Sequence, residues 1–160
     1  MNNICLRDAT INDELLVFKW RNIDALVALS SKQKKVTLQE HQQWFKRKIL
    51  DLNCKLLIIQ LEDKNIGLIR LELEQGDCEI TIYLIPGYEG QGFGHVALSQ
   101  AIDNCTLNCK SYLAKVQSKN IPSQKLFQKC GYKTIAKSDD RNLSEGAYIE
   151  TLLFEKWLKK

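Results

Sequence analysis

The chain has 160 residues, 44% of them hydrophobic, with 23 Lys and Arg against 19 Asp and Glu for a net charge of +4, a length that fits one domain spanning 1–160 and able to bury roughly 70% of its unfolded surface. So modest a charge, spread without basic runs or aromatic ladders, argues against nucleic acid as a partner, and no apolar run nears the roughly 18 residues of a membrane span and no signal-peptide pattern opens the chain, so a cytoplasmic protein without a membrane partner is expected. Six cysteines, at 5, 54, 78, 105, 109 and 130, form no Cys-x-x-Cys pair and stand beside only two histidines, which predicts reduced core thiols and no metal site.

Taken in order, Ile4 to Ala9 alternates like a strand and Leu15 to Trp20 reads as a helix. Ala28 to Lys35 is small and polar and is expected to be a loop of the kind that carries specificity. Thr37 to Leu50 reads as a second helix, with Thr37 and Glu40 at capping-box spacing. Three strands follow, Lys55 to Glu62, Ile66 to Glu74 and Glu79 to Leu84, joined by turns at Asp63-Lys64-Asn65 and Gln75-Gly76-Asp77, an antiparallel meander.

The next segment is the most informative. Pro86-Gly87-Tyr88-Glu89 is a turn, and Gly90-Gln91-Gly92-Phe93-Gly94 places three glycines at alternate positions before a helical stretch over 93–106. Glycines between a strand and a helix leave backbone N–H groups free at the positive end of the helix dipole, a seat for phosphate. A dinucleotide fingerprint would need glycine where His95 stands, and a Walker loop would need Lys and Ser/Thr after Gly94, so NAD and ATP are poor fits. A strand over Tyr112 to Gln117, a helix over Pro122 to Lys129 with proline in its first turn, and two closing strands near Tyr132 to Ala136 and Ala147 to Phe154 complete an α+β domain: a mixed, mostly antiparallel twisted sheet with helices on both faces.

The glycine loop, followed about 25 residues later by Asn120-Ile121-Pro122-Ser123, Leu126-Phe127 and Cys130-Gly131-Tyr132, resembles the GNAT superfamily of N-acetyltransferases. Leu6-Arg7-Asp8-Ala9, Asp13, Trp20-Arg21-Asn22, and His41 with Trp44-Phe45 are similar to the branch that acts on nucleotide-linked amino sugars. The resemblance implies a sheet split between its fourth and fifth strands, with acetyl-coenzyme A as co-substrate in the split and no metal. It places the pyrophosphate on Glu89, Gly90, Gln91, Gly92, Phe93, Gly94 and His95, the pantetheine beside Asn120, Ser123 and Phe127, and the acetyl carbonyl on backbone N–H groups at a bulge near Ile82 to Leu84. Many family members protonate the leaving thiolate with a tyrosine where this chain has Phe127; Tyr83, Tyr112 and Tyr132 are the remaining phenol donors. Glu89 stands where Arg or Gln is usual, which weakens phosphate binding by up to about 1 kcal/mol unless it points to solvent.

Glu79 is the leading candidate for the base, on the strand that lines the split, against the reading that it is an exposed hairpin carboxylate. His41 is the second, with a pKa suited to accepting a proton, against the reading that it packs structurally beside Trp44. Trp20, Arg21, Trp44 and Tyr83 are the candidate acceptor contacts, with Arg21 the hardest to explain as core. The expected partner is thus a small-molecule amine, first of all a nucleotide-linked amino sugar, for a protein that is a monomer or homodimer. The alternatives are a peptide or protein α-amine, a polyamine, or a non-catalytic acyl-coenzyme A module. An α-amine with pKa near 7.7 to 8.0 is roughly a quarter neutral at pH 7.4, whereas a lysine-like amine is only about 0.1% neutral and leans harder on a base.

Overall fold

The structure is a computed structural model that describes residues 3–140 and 149–158, with the side chains of 136–140 and 149–151 not described. Seven strands form one sheet in the order β1-β2-β3-β4-β5-β7-β6: β1 Ile4–Asp8, β2 Cys54–Leu61, β3 Lys64–Glu74, β4 Asp77–Leu84, β5 Ser111–Gln117, β6 Lys133–Asp140 and β7 Ile149–Trp157. All neighbours are antiparallel except β4 and β5, which run parallel. The α+β expectation, a mostly antiparallel sheet with helices on both faces, is met.

Strand patterning explains the two layers. Along β2, Cys54, Leu56 and Ile58 pack with Val17, Trp20 and Phe45 of helices α1 (Glu14–Arg21) and α3 (Leu38–Leu50), whereas Leu57, Ile59 and Leu61 pack with Phe93, Ala97 and Leu98 of α4 (Phe93–Asp103) and Phe127 of α5 (Ile121–Lys129). Period-two alternation sends successive side chains to opposite faces, so a strand covered on both faces reads as an unbroken apolar run such as Leu56-Leu57-Ile58-Ile59.

The ends of elements follow local chemistry. Thr37 caps α3, its Oγ1 accepting from the Glu40 N–H at 3.2 Å while Glu40 Oε2 accepts from the Thr37 N–H at 2.8 Å, the reciprocal capping box expected from the sequence. The β3–β4 hairpin turns on Gln75 and Gly76, with φ of 52° and 92°, as a two-residue turn of the primed type requires.

The boundaries depart from expectation in four places. A short helix, α2 (Asp24–Leu29), occupies the start of the expected 28–35 loop; its Asp-Ala-Leu-Val-Ala-Leu sequence buries no residue fully, so no amphipathic stripe announced it. Helix α4 ends at Asp103 rather than 106, where the Asn104 amide donates to the Gln100 carbonyl at 2.8 Å. The first hairpin turns on Glu62 and Asp63, because Lys64 and Asn65 already belong to β3. Strand β6 runs on to Asp140, and of the last expected strand Ala147 lies outside the described residues.

Candidate functional site

The parallel pair β4–β5 is short. Asp77 faces Ser111, Cys78 faces Tyr112 and Glu79 faces Leu113, after which β5 leaves β4 and pairs only with β7. On its other edge β4 stays in unbroken register with β3 from Asp77↔Glu74 to Leu84↔Gly67. The sheet is therefore split beyond Glu79, and every second N–H of β4 past that point faces the opening without a strand to pair with. The bulge expected at Ile82 to Leu84 is absent: the continuous β3 ladder leaves no extra residue, and the open N–H groups come from the departure of β5. The Ile82 and Leu84 side chains pack toward the α4 and α5 core, so their part in the opening is played by the backbone.

At the top of this opening the chain turns into α4. Gly92 is its N-cap, at φ 85°, ψ −4°, and Gly90 has φ 73°, left-handed conformations that other residues enter at a cost of about 1 kcal/mol or more. The first helical bond in this turn runs from the Val96 N–H to the Gly92 carbonyl at 3.2 Å, leaving the N–H groups of Phe93, Gly94 and His95 at the helix start. The Phe93 ring is buried in the core. Glu89 is turned back on its own turn, its Oε2 accepting from the Gly87 N–H at 2.7 Å, and the Gln91 amide donates to the Gly87 carbonyl at 3.0 Å. The Glu89 carboxylate thus braces the loop. A Cβ on Gly90 or Gly92 would meet nothing within 4 Å, and one on Gly94 would lie 3.5 Å from Leu126 Cδ2 of α5; the glycines at 90 and 92 serve conformation rather than close packing.

Across the opening, Asn120 caps α5, its side-chain oxygen accepting from the Ser123 N–H at 3.3 Å, which gives both residues a helix-capping bond. Phe127 is buried, edge-on to Tyr132 at 5.0 Å and stacked with Phe154 at 6.0 Å. Tyr112 and Tyr132 are buried in that same core, where burial drives both phenols well above their usual range.

On the α1 and α3 face, β3, β4 and β5 carry a line of alternating charge. Lys48 of α3 pairs with Glu72, Arg70 Nε lies 3.5 Å from Glu72 and its Nη2 3.7 Å from Glu79, and Lys115 of β5 lies 2.9 Å from Glu79. The Glu79–Lys115 pair bridges the two strands where they part. Both oxygens of Glu79 are engaged, and Lys115, with its side chain 58% exposed, is the partner water can reach.

Further along this face sit the four acceptor candidates. Trp20 meets the Tyr83 ring edge-on at 6.3 Å, and the Arg21 guanidinium lies 4.3 Å above the Trp44 ring. The Tyr83 hydroxyl is buried without a hydrogen-bond partner, and burial pushes the phenol well up, opposed by the Arg21 charge. Burial lowers the Arg21 pKa, and its nearest charged influences are Tyr83, Arg70 and Glu40. His41 sits behind Trp44: it is fully buried between α1 and α3, with Nε2 2.9 Å from the Glu14 carbonyl oxygen and its ring against Phe18, Trp44 and Phe45. Desolvation lowers its pKa. That is a packed structural histidine, and the placement corrects its candidacy as the base.

Two residues that sequence reasoning passed over hold the wall of the opening. Asn22 exchanges hydrogen bonds with the Val36 backbone at 2.9 and 2.8 Å, and the Gln117 amide donates to the Ser30 carbonyl at 3.0 Å. Together they clamp the segment after α2 to α1 and to β5. Only the Trp20-Arg21-Asn22 run hinted at the first; nothing local announces the second, whose partner is 87 residues away.

The parallel strand pair thus opens beside a helix start whose free N–H groups can seat an anion. The acetyltransferase (GNAT) domain family matches residues 3–133, and the chain belongs to that family of enzymes, which draw the acetyl group from acetyl-coenzyme A. A search of curated protein sequences finds no match. Among solved structures, the fold is similar to a spermidine N-acetyltransferase from Vibrio cholerae in complex with CoA and spermine (TM-score 0.85, 18% identity, 96% of this chain and 95% of that one). It is also similar to a ribosomal-protein-alanine N-acetyltransferase from Brucella melitensis (TM-score 0.80, 18% identity, 96% and 99%), and to a ribosomal L7/L12 α-N-protein acetyltransferase in complex with coenzyme A (TM-score 0.85, 13% identity, 99% and 96%).

Proposed function

We propose that this protein transfers an acetyl group from acetyl-coenzyme A to the primary amine of a small acceptor, with a nucleotide-linked amino sugar as the favoured class. The observation that carries the reading is the opening of β4 from β5 past Glu79, capped by the left-handed Gly92 at the start of α4. Acetyl-coenzyme A supplies an activated thioester when bound. The backbone N–H groups from Phe93 to His95 hold its phosphates, and the open N–H groups of β4 near Ile82 and Leu84 polarise the acetyl carbonyl. Glu79 accepts the proton released by the attacking amine, directly or through one water, when Lys115 yields to the incoming ammonium. With Phe127 in the core, water protonates the departing thiolate, which leaves readily at a thiol pKa near 8.5.

Charge favours the acceptor class. Arg21, Lys48, Arg70 and Lys115 outnumber Glu72 and Glu79 on the acceptor face, and both carboxylates already have cationic partners, so a polycation gains little there. The α-amine of a peptide is the competing reading. Coenzyme-thiol release measured with nucleotide amino sugars, peptides and polyamines tests the proposal: the amino sugars should turn over with the highest kcat/KM, and a clear preference for spermidine or for a peptide α-amine would replace it.

A further inference from the structure

The acceptor face contains one cation, Arg21, that forms no ion pair among the described residues. Arg21 is half-buried and pays for its desolvation with a lowered pKa, yet among the described residues it makes no hydrogen bond and no ion pair. Its one close partner is the Trp44 ring, 4.3 Å from the guanidinium. Beside it lies the Tyr83 hydroxyl, buried and unpartnered. Unsatisfied buried donors are rare because each costs the free energy of a lost hydrogen bond with water; the Tyr83 hydroxyl is one, its ring edge-on to Trp20, and the half-buried Arg21 guanidinium, stacked on Trp44, is near enough for its charge to act on the phenol. Both donate, so the group that completes them is an acceptor of hydrogen bonds, and the positive charge of Arg21, reinforced by the neighbouring Arg70, selects an anion. A guanidinium fork presents two parallel N–H groups to an oxyanion.

The position adds a length. Tyr83 and Glu79 lie on the same face of β4, four residues apart, a span of about 13 Å at ~3.3 Å per residue. An α-amino acid carries amine and carboxylate on one carbon and cannot reach from one to the other. A nucleotide-linked amino sugar, with its diphosphate on the far side of the sugar ring from the amine, is far longer.

We propose that Arg21 and the Tyr83 hydroxyl form a seat for a phosphate carried by the amine acceptor, so that this enzyme selects phosphorylated amines, amino-sugar phosphates among them, over neutral amines, α-amino acids and polyamines. The proposal rests on the acetyltransferase reading above and deepens it. Arg21 and Tyr83 act as specificity-determining groups, distant from the proton-accepting carboxylate.

The test compares a free 4-amino-4-deoxy sugar with its UDP-linked form, and adds glutamate and spermidine, in coenzyme-thiol release by the wild type and the Arg21→Gln, Arg21→Lys and Tyr83→Phe variants. The phosphorylated member should be preferred by roughly 10- to 100-fold in kcat/KM, the scale of a charged hydrogen-bonded pair. Arg21→Gln should collapse that ratio toward one, through KM more than kcat; Arg21→Lys should keep the charge but lose most of the fork, and Tyr83→Phe should remove a smaller factor. Equal use of the two sugars, a preference for glutamate or spermidine, or a ratio unchanged in Arg21→Gln would overturn the seat. A second readout separates this failure from that of the enzymatic reading: tryptophan fluorescence, which Trp20 and Trp44 supply beside the seat, titrated with the UDP-linked amino sugar in the presence of coenzyme A. If no amine consumes acetyl-coenzyme A, the enzymatic reading falls, and the titration still decides the seat. Saturable quenching weakened at least about tenfold by Arg21→Gln supports it, and quenching that is absent or indifferent to Arg21 contradicts it.

Discussion

Gly67 is the residue on which the geometry of the acyl site most directly depends. It lies opposite Leu84, and a Cβ there would sit 2.3 Å from the Tyr83 carbonyl oxygen and 3.0 Å from Leu84 Cδ2. A backbone atom cannot swing aside as a side chain does, so Gly67→Ala must push β4 away from β3 at the stretch whose N–H groups face the opening. The expected cost is about 1–3 kcal/mol, the range of overpacking in a filled core, read as a lowered midpoint in denaturant, with turnover falling further than stability alone explains. An unchanged midpoint would show that β3 and β4 have slack there. Gly92 behaves differently. Space is free around it and φ is 85°, so Gly92→Val should fold with a modest loss yet bind acetyl-coenzyme A at least about tenfold more weakly, as the αL turn that aims the N–H groups becomes strained. Calorimetric titration of the coenzyme into the variant checks this, and a normal affinity would remove the loop from the phosphate site. Glu79→Gln keeps the shape of the proposed base and removes its charge; kcat should drop by roughly 10², with partial recovery as rising pH deprotonates the acceptor itself. An unchanged pH–rate profile would take Glu79 out of the mechanism.

At the scale of elements, two joints hold α1 to its surroundings, and both titrate. Asp13, just before α1, is buried and takes two hydrogen bonds from Arg7 of β1, at 2.8 and 2.7 Å; this bonding holds the Asp13 carboxyl below its usual range. A depressed carboxyl pKa stabilises the fold fully above the unfolded value near 3.9, and that contribution disappears as pH falls through the lower folded value. Arg7→Met should therefore cost about 1–3 kcal/mol at neutral pH, and progressively less as pH falls below the unfolded value near 3.9 through the lower folded one. His41 works in a higher window. Its folded pKa is lowered chiefly by desolvation, so the unfolded chain binds the proton more readily, and the α1–α3 packing is strongest above about pH 6.5 and weakens as pH falls below it. His41→Phe keeps a ring against Phe18 and Phe45 and gives up the bond to the Glu14 carbonyl. It should lower the melting temperature at pH 7.5 and flatten the pH dependence of stability between pH 5 and 7, while the pH profile of kcat keeps its shape. A loss of kcat by 10² without a stability change would restore His41 to the chemistry.

The elements themselves were legible where a local code exists. The Thr37–Glu40 capping box, the glycines before α4 and the proline in the first turn of α5 each act within a few residues, and the structure carries all three. Helix α2 escaped because a six-residue helix with no fully buried face has no periodicity to read. The Lys48–Glu72–Arg70–Glu79–Lys115 line escaped for a different reason: it is assembled by cross-strand register, Glu72 opposite Glu79 and Arg70 opposite Thr81, and register is set by the whole sheet rather than by any one strand. Family resemblance likewise implied a β4 bulge that the unbroken register with β3 does not contain, since register is not readable from one strand alone.

In the molecule as a whole, the split divides labour between two faces. The larger core packs α4 and α5 and the smaller one α1 and α3; in the proposed reading the first serves the coenzyme and the second the acceptor. Glu79 and Lys115 tie the two strands together where they part; in the proposed reading the acceptor amine and the acetyl group meet at this opening from opposite sides of a single sheet, and positioning of this kind can supply several kcal/mol of a transfer barrier. No helix among the described residues is long and apolar enough to cross a membrane. The measurement that bears most directly on this arrangement is a single-turnover experiment: enzyme in excess over acetyl-coenzyme A, an amino-sugar phosphate as acceptor, and mass spectrometry of the products. The account predicts one free coenzyme thiol and one N-acetylated acceptor for each coenzyme bound; coenzyme that binds at the glycine loop and is recovered still acetylated, with every amine unmodified, would contradict it and leave a binding module that has lost transfer.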